Sequence, residues 1–125
     1  MTQLKVLNAY HLILQMYRTK GLPFAVCKAL FTAKNMLQPH VDCQIEQENI
    51  IVEELGGSIN NDGVINVPDD KKAELVKRMK DIRTTEVEIK TPIKLNLNEE
   101  QINKLDITGE TLEILDGIID IREVE

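Results

Sequence analysis

The chain has 125 residues, 42% of them hydrophobic, and a formal net charge of −6, which is typical of one globular domain with an aliphatic core. No apolar run reaches the roughly 18 residues that a membrane span needs, and the acidic balance disfavours direct nucleic-acid binding, because phosphates call for a basic face. Two cysteines and an N-terminus without a signal-peptide pattern predict a cytoplasmic protein. The length predicts a single domain over residues 1–125.

Helical periodicity dominates the first 55 residues. Apolar side chains recur every three or four residues over Thr2–Lys20, which predicts a first helix. Gly21 can adopt positive φ at a helix end and Pro23 suits a first helical turn, so a tight connection should place two helices in a hairpin. The second helix should continue to about Leu55 with a kink at Pro39, because proline removes one helical hydrogen bond.

The second helix is apolar over much of its circumference, and this breadth predicts central burial. The residues concerned are Phe24, Val26, Cys27, Leu30, Phe31, Met36 and Leu37. All four aromatic side chains of the protein lie within the first 31 residues, so stacking on bases or on a planar ligand is disfavoured for the rest of the chain.

The middle of the chain changes from helical to strand patterns and back. Residues 58–67 predict a β-hairpin that turns at Asn61-Asp62-Gly63, since Asp-Gly favours the positive φ values of hairpin turns. A third helix should follow over Pro68–Arg83, with one apolar stripe. Apolar and polar residues then alternate over 86–97, which predicts strand structure, and Pro92 predicts either an edge position or two short strands.

Two helix start signals mark the C-terminal segment. Asn98 is followed three residues later by Gln101, as in a capping box, and Thr108 is flanked by apolar residues at the spacing of a hydrophobic staple. These signals predict short helices over residues 99–105 and 109–119. Four apolar residues of the second helix should face the core: Leu112, Leu115, Ile118 and Ile119.

The predicted fold class is α+β and mainly α-helical. An N-terminal helix hairpin with a long kinked second helix should be joined by a small antiparallel sheet, and short C-terminal helices should close the core. The tail, residues 120–125, is either a last strand or a frayed end.

The side chains that usually carry chemistry form no recognisable site. His11, Cys27, His40 and Cys43 lack the close cysteine pair of a typical zinc site, so we interpret them as two buried cysteines and two ordinary histidines. Cys43 lies near His40, but no motif supplies an oxyanion hole. There is also no nucleophile elbow and no glycine-rich phosphate loop. We therefore expect no catalytic residue, metal or cofactor.

Charge is segregated along the chain. The last 29 residues carry nine acidic and two basic side chains, whereas the first 45 carry one acidic and five basic ones. The acidic segment predicts a partner-binding face, because single-sign surfaces steer association with opposite charge. The residues expected to form this face are Glu110, Glu113, Asp116 and Asp120. Solubility alone is the alternative explanation.

The third helix is rich in basic residues and offers an alternative, anion-binding site. Its candidate residues are Lys77, Arg78 and Lys80. A solvated helix face, or an intramolecular complement to the acidic C-terminal segment, would also explain them.

The order of several short motifs resembles a family of small proteins encoded by phages and prophages of Gram-positive bacteria. The motifs are Leu-x-x-Leu-Asn-Ala-Tyr at residues 4–10, the Leu-Pro helix from Leu22 with Ala33-Lys34-Asn35, the Leu-x-Pro step at 37–39, the Asp-Gly hairpin, Thr85-Glu86-Val87-Glu88-Ile89, and the final Leu-x-Leu-Asn-Glu-Glu-Gln. The resemblance implies a phage accessory protein in the cytoplasm of a bacterial host. It carries no functional residues over to this chain.

Three functions follow as hypotheses. The first is an accessory protein that binds a bacterial host protein through the acidic face and inhibits it, for example a nucleic-acid-binding defence protein. The second is a phage structural or assembly protein that forms a homo-oligomer through the long helix. The third is an oligomer that sequesters a nucleotide signal at the basic residues of the third helix.

Overall fold

A computed structural model describes all residues from Met1 to Glu125. Helix α1, Gln3–Tyr17, begins at Thr2, whose hydroxyl accepts a hydrogen bond from the Lys5 amide. It ends before the predicted boundary at Lys20, because Arg18 already forms the C-terminal cap. Helix α2, Phe24–Glu54, packs against α1, which confirms the predicted helix hairpin.

The second helix runs through Pro39 without interruption. The predicted extent is therefore confirmed, while the kink at Pro39 stays a prediction. Gln3 links the two helices at this level. Its side-chain nitrogen donates to the His40 carbonyl at 2.8 Å and to the Gln44 side chain at 3.1 Å. Both glutamines are buried, so each needs such a partner.

The chain reverses after α2 through the predicted hairpin. Strand β1, Ser58–Ile59, pairs antiparallel with β2, Ile65–Asn66. The turn between them depends on Asn60, which the sequence pattern did not single out. Its side-chain oxygen accepts the amides of Asp62 and Val64, both at 2.9 Å. Gly63 completes the turn at φ +78°, a conformation that favours glycine.

A short 3₁₀ turn, Asp69–Lys71, leads into helix α3, Lys72–Arg83. The predicted third helix is thus confirmed, with a tighter first turn. It packs back against the end of α2 and covers a small cluster that we call the distal core. The distal core consists of Ile51, Val52, Leu55, Val67 and Met79.

Only the second half of the predicted strand segment 86–97 forms a regular strand. Residues before Pro92 make a single antiparallel bridge, Thr2 to Glu86, with the start of the chain. Strand β3, Ile93–Leu97, follows the proline. Of the two predicted outcomes, the pair of short strands is wrong, because the residues before Pro92 form no strand. The edge position is what occurs, because the sheet that contains β3 has only two strands.

Both predicted C-terminal helices form, and both begin with a capping box. Helix α4, Glu99–Lys104, starts at Asn98, and helix α5, Gly109–Leu115, starts at Thr108. Helix α5 ends before the predicted residue 119, because Gly117 turns the chain at φ +79° into a strand. That strand, β4, spans Ile119–Glu123, so the tail is a strand rather than a frayed end.

The second strand pair corrects the expected sheet. Strands β3 and β4 are parallel, with Ile93 opposite Ile119 and Leu97 opposite Glu123. The expected antiparallel arrangement holds only for the hairpin. Parallel pairing is possible here because α4 and α5 carry the chain back to the same end of the strand pair, as a parallel crossover requires.

The larger cluster of buried side chains lies between α1, the first half of α2, the β3–β4 pair and α5. We call it the main core. It contains Val6, Ala9, Ile13, Met16, Val26, Leu30, Ala33, Leu37, Leu95, Leu97, Leu105, Leu115, Ile118 and Ile119.

Five of the residues with predicted burial lie outside it: Cys27 and Met36 are only half-buried, and three others are exposed. Leu112 is 48% exposed, because the neighbouring Thr111 occupies the inward-facing position of α5. The buried Thr111 hydroxyl accepts a hydrogen bond from the Thr108 amide. Phe24 is 80% exposed and Phe31 46%, because that face of α2 lies at the surface, where the Tyr17 ring covers only part of Phe31. The central burial predicted from the breadth of the apolar surface of α2 is therefore wrong at the N-terminal end of the helix.

Candidate functional site

The acidic residues expected to bind a partner lie on α5 and just beyond it. Glu110 and Glu113 are exposed on the helix, and Asp116 is exposed at its C-terminal cap. We call these three residues the acidic face. Glu110 lies in the first turn, where a negative charge favours the helix. Asp116 lies at the other end of the helix, beside the unpaired carbonyls of the last turn, where a negative charge disfavours the helix.

Asp120 differs from the other three predicted contact residues. It is half-buried on β4, and the Arg122 guanidinium contacts its carboxylate at 3.0 Å. The two side chains point to the same side of the strand, since they are two residues apart. The structure therefore places Asp120 near the acidic face but with its charge already compensated.

The remaining C-terminal acids have no such compensation. The protein contains five ion pairs, and only the Asp120–Arg122 pair involves one of the nine acids after residue 96. Eight of the nine therefore lack a cationic partner within 4.0 Å. Four of these eight, Glu99, Glu100, Glu123 and Glu125, line one shallow crevice with Asn98 and Val124. The negative field of this end of the molecule is left open to solvent.

The basic residues of α3 are not brought together around a single point. Arg78 is half-buried and contacts Glu54 of α2 at 2.6 Å. Lys77 and Lys80 are exposed and form no ion pair. Since consecutive helical residues point about 100° apart, Lys77 and Arg78 diverge.

The charge complement of α3 comes from α2 and from the preceding turn. Besides the Arg78 pair, Arg83 contacts Glu48 at 3.7 Å, and Lys72 contacts Asp69 at 2.8 Å. No basic residue of α3 pairs with the acidic C-terminal segment. The suggested complement between these two regions is therefore wrong, because α3 packs on the far end of α2 instead.

The cysteines and histidines are dispersed. Cys27 is half-buried and its thiol donates weakly to the Leu22 carbonyl at 3.8 Å. Cys43 is exposed, which corrects its predicted burial: the inward positions of that turn are taken by Val41 and Gln44. No three His, Cys, Asp or Glu side chains converge in a way that would hold a metal ion.

The sequence pattern missed an exposed aromatic groove beside the α1–α2 turn. We define the groove by its lining residues, Tyr17, Phe24, Cys27, Lys28, Phe31 and Thr32. The rings of Tyr17 and Phe31 lie 6.1 Å apart, and the Lys34 amine lies 5.8 Å from the Phe31 ring centroid. Apolar residues recur at 24, 27 and 31, and this spacing was the one sequence signal for the groove. A buried helix face has the same spacing, so the signal does not distinguish the two.

Comparison with known proteins finds no relative. The chain matches no family model, no curated protein and no solved structure. None of the helices combines the length and the apolarity that a bilayer span requires. The phage resemblance therefore depends on the sequence motifs alone and stays a prediction.

Proposed function

We propose that the protein acts without catalysis, by binding a basic macromolecular surface through the acidic face, Glu110, Glu113 and Asp116. The observation that carries this proposal is the absence of an ion-pair partner for eight of the nine C-terminal acids. Like charges held close together repel one another, so a surface of this kind gains most when a cationic partner arrives.

The support of α5 favours binding over mere solubility. The helix is fixed at its start by the Thr108–Thr111 capping box and at its end by Leu115 and Ile118, both fully buried in the main core. Its charged side chains are therefore presented from a fixed backbone. A preformed surface loses less conformational entropy on association than a flexible acidic tail would.

The position of Asp116 adds a second argument. A carboxylate at a helix C-terminus is unfavourable by a few tenths of a kcal/mol, about the size of other surface dipole effects. Local stability therefore does not explain Asp116, whereas contact with a cationic partner would. Asp120, which the sequence also suggested, contributes less to such a contact because Arg122 already neutralises it.

The biological setting of the proposal comes from the phage resemblance. An accessory protein of that origin would work in the cytoplasm of the bacterial host, and a defence protein with a basic nucleic-acid groove would complement the acidic face. Occupying such a groove would block the nucleic acid, because both would compete for the same cationic side chains.

Charge reversal tests the contact. A variant with Glu110→Lys, Glu113→Lys and Asp116→Lys should lose capture of any specific partner from a Gram-positive host lysate. A matched control reverses three exposed, unpaired acids elsewhere, Glu46→Lys, Glu53→Lys and Glu88→Lys, and so changes the net charge equally.

The two variants separate a specific face from bulk charge. Selective loss in the first variant, with binding that weakens as salt rises, supports the proposal. Equal loss in both variants would show that net charge alone is responsible. Unchanged capture by the first variant would exclude the acidic face as the contact.

A further inference from the structure

The exposed aromatic groove concentrates apolar surface at one place. Three of the four aromatic side chains of the protein line it, and Phe24 is the most exposed large apolar residue in the molecule. Clustered apolar surface of this kind, rimmed by polar groups, is characteristic of an interaction site. Covering it would be favourable, because aromatic rings contribute large areas removed from water.

The charge around the groove restricts what fits there. Lys28 lines it, and Lys34 lies over the Phe31 ring. No acidic residue lines it, and the first acid in the chain is Asp42. A complementary occupant would combine an apolar side chain with flanking carboxylates.

The same chain presents such a surface on α5. Leu112 is 48% exposed, Glu113 follows it in the helix, and Asp116 forms the C-terminal cap four positions after Leu112. Residues i and i+4 of a helix share a face, so Asp116 at the cap follows Leu112 on that side of α5. Leu112 is therefore an exposed apolar side chain with one carboxylate a turn further on and another about 100° around the helix.

The groove and α5 lie on opposite sides of α1. Gln15 and Thr19 form a crevice with Thr111 and Ile114 of α5, whereas Tyr17 lines the aromatic groove. Tyr17 is two residues from Gln15, and so points roughly 200° away from it around the helix. The α5 helix of one molecule therefore cannot fill its own groove, but it is free to enter the groove of another.

We propose that the protein self-associates head to tail, with α5 of one copy docked in the aromatic groove of the next. Leu112 would insert between Phe24 and Phe31, while Glu113 and Asp116 face Lys28 and Lys34. The two contacting surfaces differ, so the contact is heterologous and leaves one free surface at each end of every assembly. The contact is small, so association should be weak and concentration-dependent.

Sedimentation velocity tests this arrangement. The weight-average mass of the wild-type protein should rise between about 10 µM and 1 mM, a range suited to a contact below the standard interface size. Phe24→Ser removes the groove anchor and Leu112→Ser removes the inserted residue. Both positions are exposed, so neither change disturbs the core, and each variant should stay monomeric.

Mixing the two variants gives the decisive readout. Each retains one intact surface, so an equimolar mixture should form dimers and no larger species. The control, Val76→Ser, removes an apolar side chain that is 67% exposed on α3 and should associate like the wild type. Lys28→Glu should weaken association, and combining it with Glu113→Lys in the same chain should restore it, because every contact then pairs the two exchanged charges.

Several outcomes would overturn the proposal. A wild-type protein that stays monomeric to 1 mM would do so, as would association that neither Phe24→Ser nor Leu112→Ser affects. Variants that are each monomeric but do not combine would indicate a symmetric contact instead. Host-partner binding is read separately, since Phe24→Ser leaves the acidic face intact and should still capture the partner.

Discussion

The main core and the distal core lie at opposite ends of the same helix and differ in how they are held. Around the first half of α2, 14 buried apolar residues pack between α1, α5 and the parallel strand pair. Around its last turns, only five buried apolar residues join α2 to α3 and to a hairpin with two-residue strands. Both ends are helical, yet the area removed from water at each is very different.

Polar contacts do little to make up the difference. Arg78–Glu54 and Arg83–Glu48 connect α3 to α2, but both pairs are partly exposed. Such pairs contribute between zero and about 1 kcal/mol each. Apolar residues of the hairpin, Ile59, Val64 and Ile65, also remain exposed. We therefore expect the distal region to open locally while the main core stays folded.

The largest effect should come from the main core. Leu37 is fully buried on α2, so Leu37→Ala should lower the free energy of unfolding by about 2–5 kcal/mol, through lost burial and the cavity it leaves. Urea unfolding followed by circular dichroism measures this. Ile45→Ala on the same helix is the control, because Ile45 is 49% exposed and should cost about 0.5 kcal/mol or less. Comparable losses in the two variants would contradict the assigned core.

A distal substitution should have a smaller and more local effect. Met79 is the one buried residue of α3, and Met79→Ala should cost about 2 kcal/mol, the lower end for such a change. Hydrogen exchange should accelerate across α3 and the hairpin, with Ile13 and Leu30 in the main core unaffected. Equal acceleration in both regions would show instead that the molecule opens as one cooperative unit.

A close backbone approach offers a third test at the distal end. A Cβ atom at Gly57 would collide with the Val67 side chain and the Asn66 carbonyl. Gly57→Ala should therefore displace the hairpin and cost about 1–3 kcal/mol, as overpacking does. Gly109→Ala is the control, since a Cβ there meets nothing within 4 Å. Thermal unfolding that does not distinguish the two variants would rule out tight packing at Gly57.

What the sequence could predict follows from the range of the interactions. The caps at Asn98 and Thr108 depend on residues three positions away, and both helices begin where their caps predict. The Asp120–Arg122 pair was also within reach, because strand residues two apart share a side. Composition alone located the acidic C-terminal segment.

The features that were missed depend on distant parts of the chain. Parallel pairing of β3 with β4 joins residues 26 positions apart, Ile93 and Ile119, and no local signal specifies it. Exposure of Phe24 and Leu112 depends on what packs against each helix. A buried apolar stripe and an exposed one have the same pattern in the sequence. The groove could therefore not be distinguished from core in the sequence.

The smallest effect should come from the Arg78–Glu54 pair, whose side chains are 34% and 53% exposed. A double-mutant cycle of Arg78→Met and Glu54→Gln should give a coupling energy below about 1 kcal/mol, falling as salt rises, because solvent screens the pair. Lys77→Met, next to it and unpaired, is the control for lost charge alone. A coupling well above this would mean that charge, rather than the five apolar residues, holds the distal region closed. Its opening would then respond to salt, which apolar packing alone does not predict.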